Sequence, residues 1–340
     1  MNIGLTFDLR SEYLKMGYSE DETAEFDRDD TITAIENALH ALGQKTDRIG
    51  NARQLMERLV NGDRWDLVFN IAEGLKGFAR EAQVPAILDL YEIPYTFSDP
   101  LVMSLSLHKA FTKQVVKDYG CPTPAFAIVN HPADTENISF DPPFFIKPLA
   151  EGTGKGITEH SIFQDHSGLP EACGDLIDRY QQPVLVEKYL SGREFTVGIL
   201  GTGQDAQILG TLEVHLLENA EKGVYSYANK ENCETCVQYL LVSSREDTTV
   251  LEAETVALAA WRALGCRDGG RVDLRCDEKG TPHFLEVNPL AGLHPHHSDL
   301  PILCNHLGIP YLQLIHRILT SASMRVQTIP NTASKIRKCV

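Results

Sequence analysis

No run of this chain approaches the roughly 18 uninterrupted apolar residues that a membrane-spanning helix needs. Positive charge is scarce: 31 lysines and arginines stand against 47 aspartates and glutamates, a net of −16. Nucleic acids and anionic membranes both need a basic footprint, so neither is expected as the main partner. A small anionic ligand stays open, because a few converging lysines suffice locally. The opening residues, MNIGLTFDLR, lack a basic segment followed by a long apolar one. No secretory signal is therefore expected, and the chain reads as cytoplasmic. Cysteine pairing is also thin. Eight cysteines are scattered, and Cys121, Cys266, Cys276 and Cys304 sit among apolar residues, which suits free buried thiols. Cys233-x-x-Cys236 stands alone, with no second pair or nearby histidine to complete a zinc set. The spacing of a Walker phosphate loop is absent.

What is present is enough for two or three packed units: 340 residues, 43% of them apolar. Residues 3–7 read as a buried strand. Ile32, Ile35, Leu39 and Leu42 recur at helical spacing before Gly43. Residues 55–60 mark a second helix, 67–69 a strand, 86–90 a helix, and 93–95 lead into a further strand. This alternation predicts a parallel α/β unit ending near Ser98. Residues 105–119 read as one helix stopped by Gly120 and Pro122. Strands are then expected at 144–147, 184–189, 195–200 and 209–215, in an α+β region. A long helix follows over 250–264, then two strands and two short helices. There is no internal repeat.

Residues 270–288 carry the most chemical information. Asp277 to Gly280 reads as a hairpin turn. If Cys276 opposes Thr281, then Val272, Leu274, Leu285 and Val287 share one face. The other face carries Arg271, Asp273, Phe284, Glu286 and Asn288. Three hard oxygen-bearing side chains suit Mg²⁺ that also holds a nucleotide's phosphates. Phe284 on that face could support a flat base. The competing reading is a solvated strand face.

Lys147 ends an apolar strand, and Gly152, Gly154 and Gly156 follow in a loop with Lys155. Glycines let backbone amides approach phosphate oxygens, and a lysine adds charge. An ordinary surface turn is the alternative. Lys109 and Lys230 are further candidates. The strand edge from Glu187 to Leu190 could read an adenine through its backbone, and Glu194 could take ribose hydroxyls.

Seven segments in register resemble the D-alanine–D-alanine ligase branch of the ATP-grasp superfamily. They are IPYTFSDP (93–100), HKAFTK (108–113), FFIKPLAEGTGKG (144–156), VLVEKYLSGREFTVGILG (184–201), YSYANK (225–230), ALGCRDGGRVDL (263–274) and FLEVNPLAG (284–292). The resemblance is clear from about Ile93 to Leu319. It implies an α/β N-terminal domain plus two α+β subdomains enclosing ATP: 1–98, 99–183 and 184–322, with a basic tail at 323–340. It implies an ATP-dependent ligase that activates a carboxylate as an acyl phosphate and joins it to an amine. Lys109, Lys147 and Lys230 would contact phosphates. Glu187, Lys188 and Leu190 would line the adenine slot above Phe284, and Glu194 would hold the ribose. Asp273, Glu286 and Asn288 would bind Mg²⁺, with Mn²⁺ as a substitute. Arg271 would stabilise the acyl phosphate, and the loop with Thr153 and Gly154 would close over the γ-phosphate. Arg80, Tyr225, Gly292, His297 and Ser298 would meet amino-acid or peptide substrates. Homodimerisation stays open.

Three departures from the family pattern fall on the substrate side. The N-terminal Gly-Gly-x-Ser-x-Glu segment is missing; the first strand ends Phe7-Asp8-Leu9-Arg10. Asp8 or Arg10, with Glu73 or Arg80, is expected to meet the first amino acid instead. Glu231 stands where the family has an aromatic. His297 or Ser298 falls where a serine takes the acceptor's carboxylate. His294, His296 and His297 could bind a transition metal, but Pro295 breaks the spacing and no cysteine or carboxylate completes a set. Contact with substrate is the favoured reading. Two alternatives remain: a true D-alanine–D-alanine ligase, and a nucleotide-binding protein without catalysis.

Overall fold

A computed structural model describes residues 1–221 and 223–328; for Lys230, Glu231, Cys233, Gln327 and Thr328 only the backbone is described. Three strands form the first sheet: β1 (Asn2–Thr6), β2 (Lys45–Gly50) and β3 (Leu67–Asn70), in the order β2-β1-β3 and all parallel. Every residue of β3 is buried, as befits a parallel strand covered on both faces. The expected strand at 93–95 is a single bridge, Val68 to Tyr95. The chain bends away on either side of it, with φ of 55° at Glu92 and 69° at Phe97.

The second sheet has the order β4-β7-β5-β6, with β4 (Phe126–Val129), β5 (Phe144–Pro148), β6 (Ile162–Phe163) and β7 (Val184–Lys188). The expected boundary between residues 183 and 184 separates Val184 from these partners. By sheet membership, the change of unit falls between β7 and the next strand. The third sheet is antiparallel: β8 (Glu194–Leu200), β9 (Gln207–Leu216), β10 (Val237–Val242), β11 (Gly269–Cys276) and β12 (Pro282–Asn288), in the order β10-β9-β8-β11-β12.

The helix Thr248–Leu264 backs the third sheet. Asp247 caps its start by accepting from Thr249 and Val250, and Gly265 ends it at a φ of 76°. Its Ala253, Ala257, Ala260 and Trp261 pack on Val197, Val272 and Leu274. A second core joins the first sheet to the C-terminal end of the chain: Ile3, Leu5 and Phe69 pack with Leu293, Leu300, Leu314 and Ile315. That shared core fixes the N-terminal unit against the turn after β12. The last helix, Tyr311–Thr328, runs through the start of the expected basic tail. Its Arg325 Nη2 lies 2.5 Å from Asp268 Oδ2. The rest of that tail, 329–340, lies outside the described residues. Among the described residues, no helix is long and apolar enough to cross a membrane.

The stretch 105–119 is two helices, Pro100–Leu107 and Lys109–Asp118. His108 breaks them with ψ of 86°, and its Nδ1 accepts from Phe111 N at 3.3 Å, capping the second helix. The break frees Lys109 N to donate to Leu149 O at 3.3 Å, which ties the lysine to the end of β5.

Candidate active site

The β11–β12 hairpin pairs Arg271 with Asn288 and Asp273 with Glu286, as the alternation predicts. The register then slips: Leu274 pairs with Phe284, and Leu285 is the extra residue of a bulge. One inserted residue flips every side chain beyond it. Phe284 therefore points away from the carboxylates into the core, fully buried beside Val272 and Leu274. The expectation that Phe284 supports a base is corrected; Leu285 faces the cavity in its place.

That cavity, about 820 Å³, lies between the second and third sheets. Lys109, Lys147, Glu187, Lys188, Leu190, Glu194, Asp273 and Glu286 all line it, with Phe145, Ile157 and Leu285 as apolar walls. The N–H groups of Lys188 and Tyr189 donate to Ala125 and Pro143 at 2.8 and 2.9 Å. Glu187 is buried and holds two lysines, Lys113 at 2.6 Å and Lys147 at 3.1 Å. Burial pushes the Glu187 carboxyl up, but the two lysines outweigh it and the net shift is downward. Burial holds Lys113 down at about 8. For Lys147 burial opposes the charge, yet Glu187 and Glu286 raise it overall. Lys109 is lowered, chiefly by burial. Glu286 lies 3.8 Å from Lys109 and 3.9 Å from Lys147. Glu194 pairs with Arg275 at 3.2 Å. Lys230 lies on the helix Tyr227–Glu231, and its side chain is outside the described residues.

The glycine loop turns at Thr153 (φ 55°) and Gly154 (φ 78°). A Cβ at Gly154 would stand 2.8 Å from Tyr227 N, so only glycine lets the loop close on the 225–227 segment. Glu25 anchors the loop's start: its Oε1 accepts from Gly152 N at 2.6 Å, and Arg80 Nη2 donates to both Glu25 oxygens at 3.1 and 2.9 Å.

Two further cavities continue from the first. One, about 710 Å³, is lined by Glu25, Glu73, Glu81, Thr153, Arg271, Glu286, Asn288 and Gly292. Burial, with Glu81 and Glu25 close by, raises the Glu73 carboxyl well above its usual range. Burial pushes Glu81 up to about 7. The other, about 1110 Å³, is lined by Arg10, Glu25, Asp27, Thr153, Tyr225, Arg271, Gly292, His297 and Ser298 among others. Arg271 lines both cavities. Its Nη1 donates to Asp273 Oδ2.

Two expected substrate contacts are corrected. Arg80 lines neither of these two cavities; it holds Glu25 and donates to Ala150 O at 2.9 Å. Asp8 is buried, accepting from Tyr13 and, at 2.8 Å, from Gly74 N. Glu73 and Arg10 do reach the cavities. His294 organises its own turn: its Nδ1 accepts from the backbone of His296 and His297, both at 3.2 Å, and its Nε2 is 3.3 Å from Asp30. That leaves His294 poorly placed as a metal ligand. Sequence reasoning missed Lys113, Glu25, Glu81, Arg275 and Leu285. Lys113 carried a signal as part of the HKAFTK segment, and Leu285 as part of the FLEVNPLAG segment.

A family profile described as "D-ala D-ala ligase C-terminus" matches residues 115–320. An uncharacterized protein of Sinorhizobium fredii, y4sG, is 33% identical over 76% of this chain and 75% of its own length. A D-alanine–D-alanine ligase of Bordetella petrii is 32% identical over 81% of each chain. The crystal structure of D-alanine–D-alanine ligase from Bacillus anthracis complexed with ATP superposes with a TM-score of 0.70 at 20% identity, covering 96% of this chain and 98% of that one.

Proposed function

The chain belongs to the D-alanine–D-alanine ligase family of the ATP-grasp class and is an ATP-dependent carbon–nitrogen ligase; from that premise we propose that it keeps the family's nucleotide half and has an altered pair of amino-acid sites. One observation carries the reading. Three cavities lie in a row along the β11–β12 face, the first two sharing Lys109 and Glu286, the second and third sharing Arg271 and Thr153.

ATP would occupy the first cavity, with Lys109, Lys147 and Lys230 toward its phosphates and Leu190 and Leu285 at its base. Asp273, Glu286 and Asn288 fit a divalent cation: they are hard oxygen donors on one face of the β11–β12 hairpin, and a site with one or two carboxylates plus nucleotide phosphates is what Mg²⁺ favours. When bound, the ion would neutralise charge on the transferred phosphoryl group. The donor amino acid would lie in the second cavity, its ammonium against Glu25, Glu73 and Glu81. Its carboxylate oxygen attacks the γ-phosphorus, giving an acyl phosphate and ADP. Arg271 faces the developing negative charge. The acceptor's amine, in the third cavity, then attacks the acyl carbon and phosphate leaves. The loop at 152–156 would keep water away from the acyl phosphate.

The substrates are amino acids or a small peptide. The third cavity is larger than the second, and His297 stands near the place where the family has a serine. An imidazole N–H donates to a carboxylate, and with the larger cavity this favours an acceptor larger or more acidic than alanine. D-Alanine at both sites is the alternative that the Bordetella relative's name suggests. The test is ADP release over pairs of L- and D-amino acids, with mass detection of the product, in wild type and His297→Ser. The expected result is a preferred pair other than two D-alanines, with the acceptor ranking changed by His297→Ser. D-Alanine winning at both sites would refute the altered-site reading.

A further inference from the structure

Arg271 stands between two carboxylates, and only one belongs to the proposed metal set. Nη1 donates to Asp273 Oδ2, while Nε lies 3.4 Å from Asp299 Oδ2. Asp273 is already crowded. Thr196 Oγ1 donates to its Oδ1 at 3.0 Å, and Asn288 Nδ2 donates to Oδ2 at 3.2 Å, beside the arginine. A cation coordinated by Asp273 and a guanidinium on the same oxygen repel each other. A metal ion held by Asp273 would therefore loosen Arg271 from it.

Asp299 lies outside that competition. It begins the helix Asp299–His306, an element separate from the hairpin. It is buried, and its Oδ1 accepts from the hydroxyls of Tyr225 at 3.1 Å and Tyr239 at 3.2 Å. Those two hydroxyls lie 2.5 Å from each other. The carboxylate is thus fixed at one oxygen and offers the other to Arg271. Asp299, Tyr225 and Arg271 line the third cavity together, and Arg271 reaches the second. A buried guanidinium without Asp299 would be left with Asp273 and Glu286 as its nearest carboxylates, and uncompensated buried charge is costly.

We propose that Asp299 is the positioning residue for Arg271, retaining the guanidinium when the metal takes Asp273 and so presenting it to the acyl phosphate. This rests on the ligase reading above. It assigns a consequence to the Asp299–Arg271 contact: removing Asp299's charge turns Arg271 into a competitor for the metal's own carboxylate. A residue that merely holds the helix in place would not change metal affinity.

The test uses the full chain with Mn²⁺ and ADP as probes, comparing wild type, Asp299→Asn and Asp299→Glu. Mn²⁺ binding is read by electron paramagnetic resonance, and kcat and donor KM by ADP release. For Asp299→Asn, the Mn²⁺ dissociation constant should rise about tenfold, kcat should fall at least about tenfold at saturating metal, and donor KM should change less than about threefold. Asp299→Glu should restore Mn²⁺ affinity to within about twofold while kcat stays low, because the charge is kept and the aim is not. A folded Asp299→Asn protein with wild-type Mn²⁺ affinity overturns the proposal, whatever its kcat. If that variant does not fold, the Glu variant decides: reduced kcat with retained metal affinity supports the proposal, and wild-type kcat overturns it. The two readings fail separately. Absence of amino-acid-dependent ADP release in the wild type would sink the ligase reading, while the Mn²⁺ measurement still reports on Asp299.

Discussion

Glu187→Gln removes the one carboxylate that holds both Lys113 and Lys147. Its cost follows from where Lys113 sits. That lysine is fully buried, and burial holds it at about 8 even beside Glu187, against 10.5 when free. Keeping it charged at pH 7 already costs roughly 3 kcal/mol relative to the unfolded chain. Without Glu187 the folded-state value drops further, but the penalty is bounded. Once the value passes below 7, the lysine sheds its proton, so the added cost at pH 7 is about 1 kcal/mol. The lost Glu187–Lys147 pair adds about 2 kcal/mol, giving a total of roughly 3 kcal/mol, near the usual range for breaking a buried pair. The sign of the pH dependence is specific. In the wild type, the lysine penalty is full below pH 8 and relieved between 8 and 10.5. In the variant, relief begins at lower pH. The stability gap should therefore shrink by about 1 kcal/mol per unit as pH rises from 6 to 8, then level off. Urea unfolding of both proteins at pH 6, 7, 8 and 9 measures it. A gap that is flat across this range would refute the reasoning.

Phe284→Ala should destabilise the protein by about 3–5 kcal/mol and leave ADP affinity within about twofold; Leu285→Ala should weaken ADP and cost little stability, and denaturation with calorimetry separates the two. Lys147→Met should weaken ATP binding by about tenfold or more and flatten its salt dependence, because a charge-assisted contact is lost; unchanged affinity in calorimetry would remove Lys147 from the phosphate site. Glu81, held at about 7 by burial, is protonated below that pH and cannot then pair with an ammonium. Donor KM should accordingly fall as pH rises from 6 to 7.5, and Glu81→Gln should reduce that fall; an unchanged slope in the variant would remove Glu81 from the donor site.

Much of this site was legible because its residues alternate along strands. Arg271, Asp273, Glu286 and Asn288 fall on one face by period 2 alone, and the pairing confirms that face. The same rule misplaced Phe284, since a bulge at Leu285 is set by tertiary packing and leaves no mark on the pattern. Lys113 was hidden differently. At the surface of a helix it would be unremarkable, yet it is buried against Glu187 of β7 and the Phe284 carbonyl of β12, partners that only long-range contacts specify. Glu25 lies 127 residues from the glycine loop it anchors, a partnership that no local spacing encodes. Arg80 was visible as a charged residue near the substrate side, but its partner was not.

In the proposed ligase, the Asp273–Glu286–Asn288 face joins the nucleotide cavity to the amino-acid cavities. Amino-acid-dependent ADP release, measured in wild type and in Glu286→Gln at saturating Mg²⁺, is the decisive measurement. Turnover is expected in the wild type and should be lost in the variant, with circular dichroism and melting temperature unchanged. Full turnover in a folded Glu286→Gln protein would contradict it.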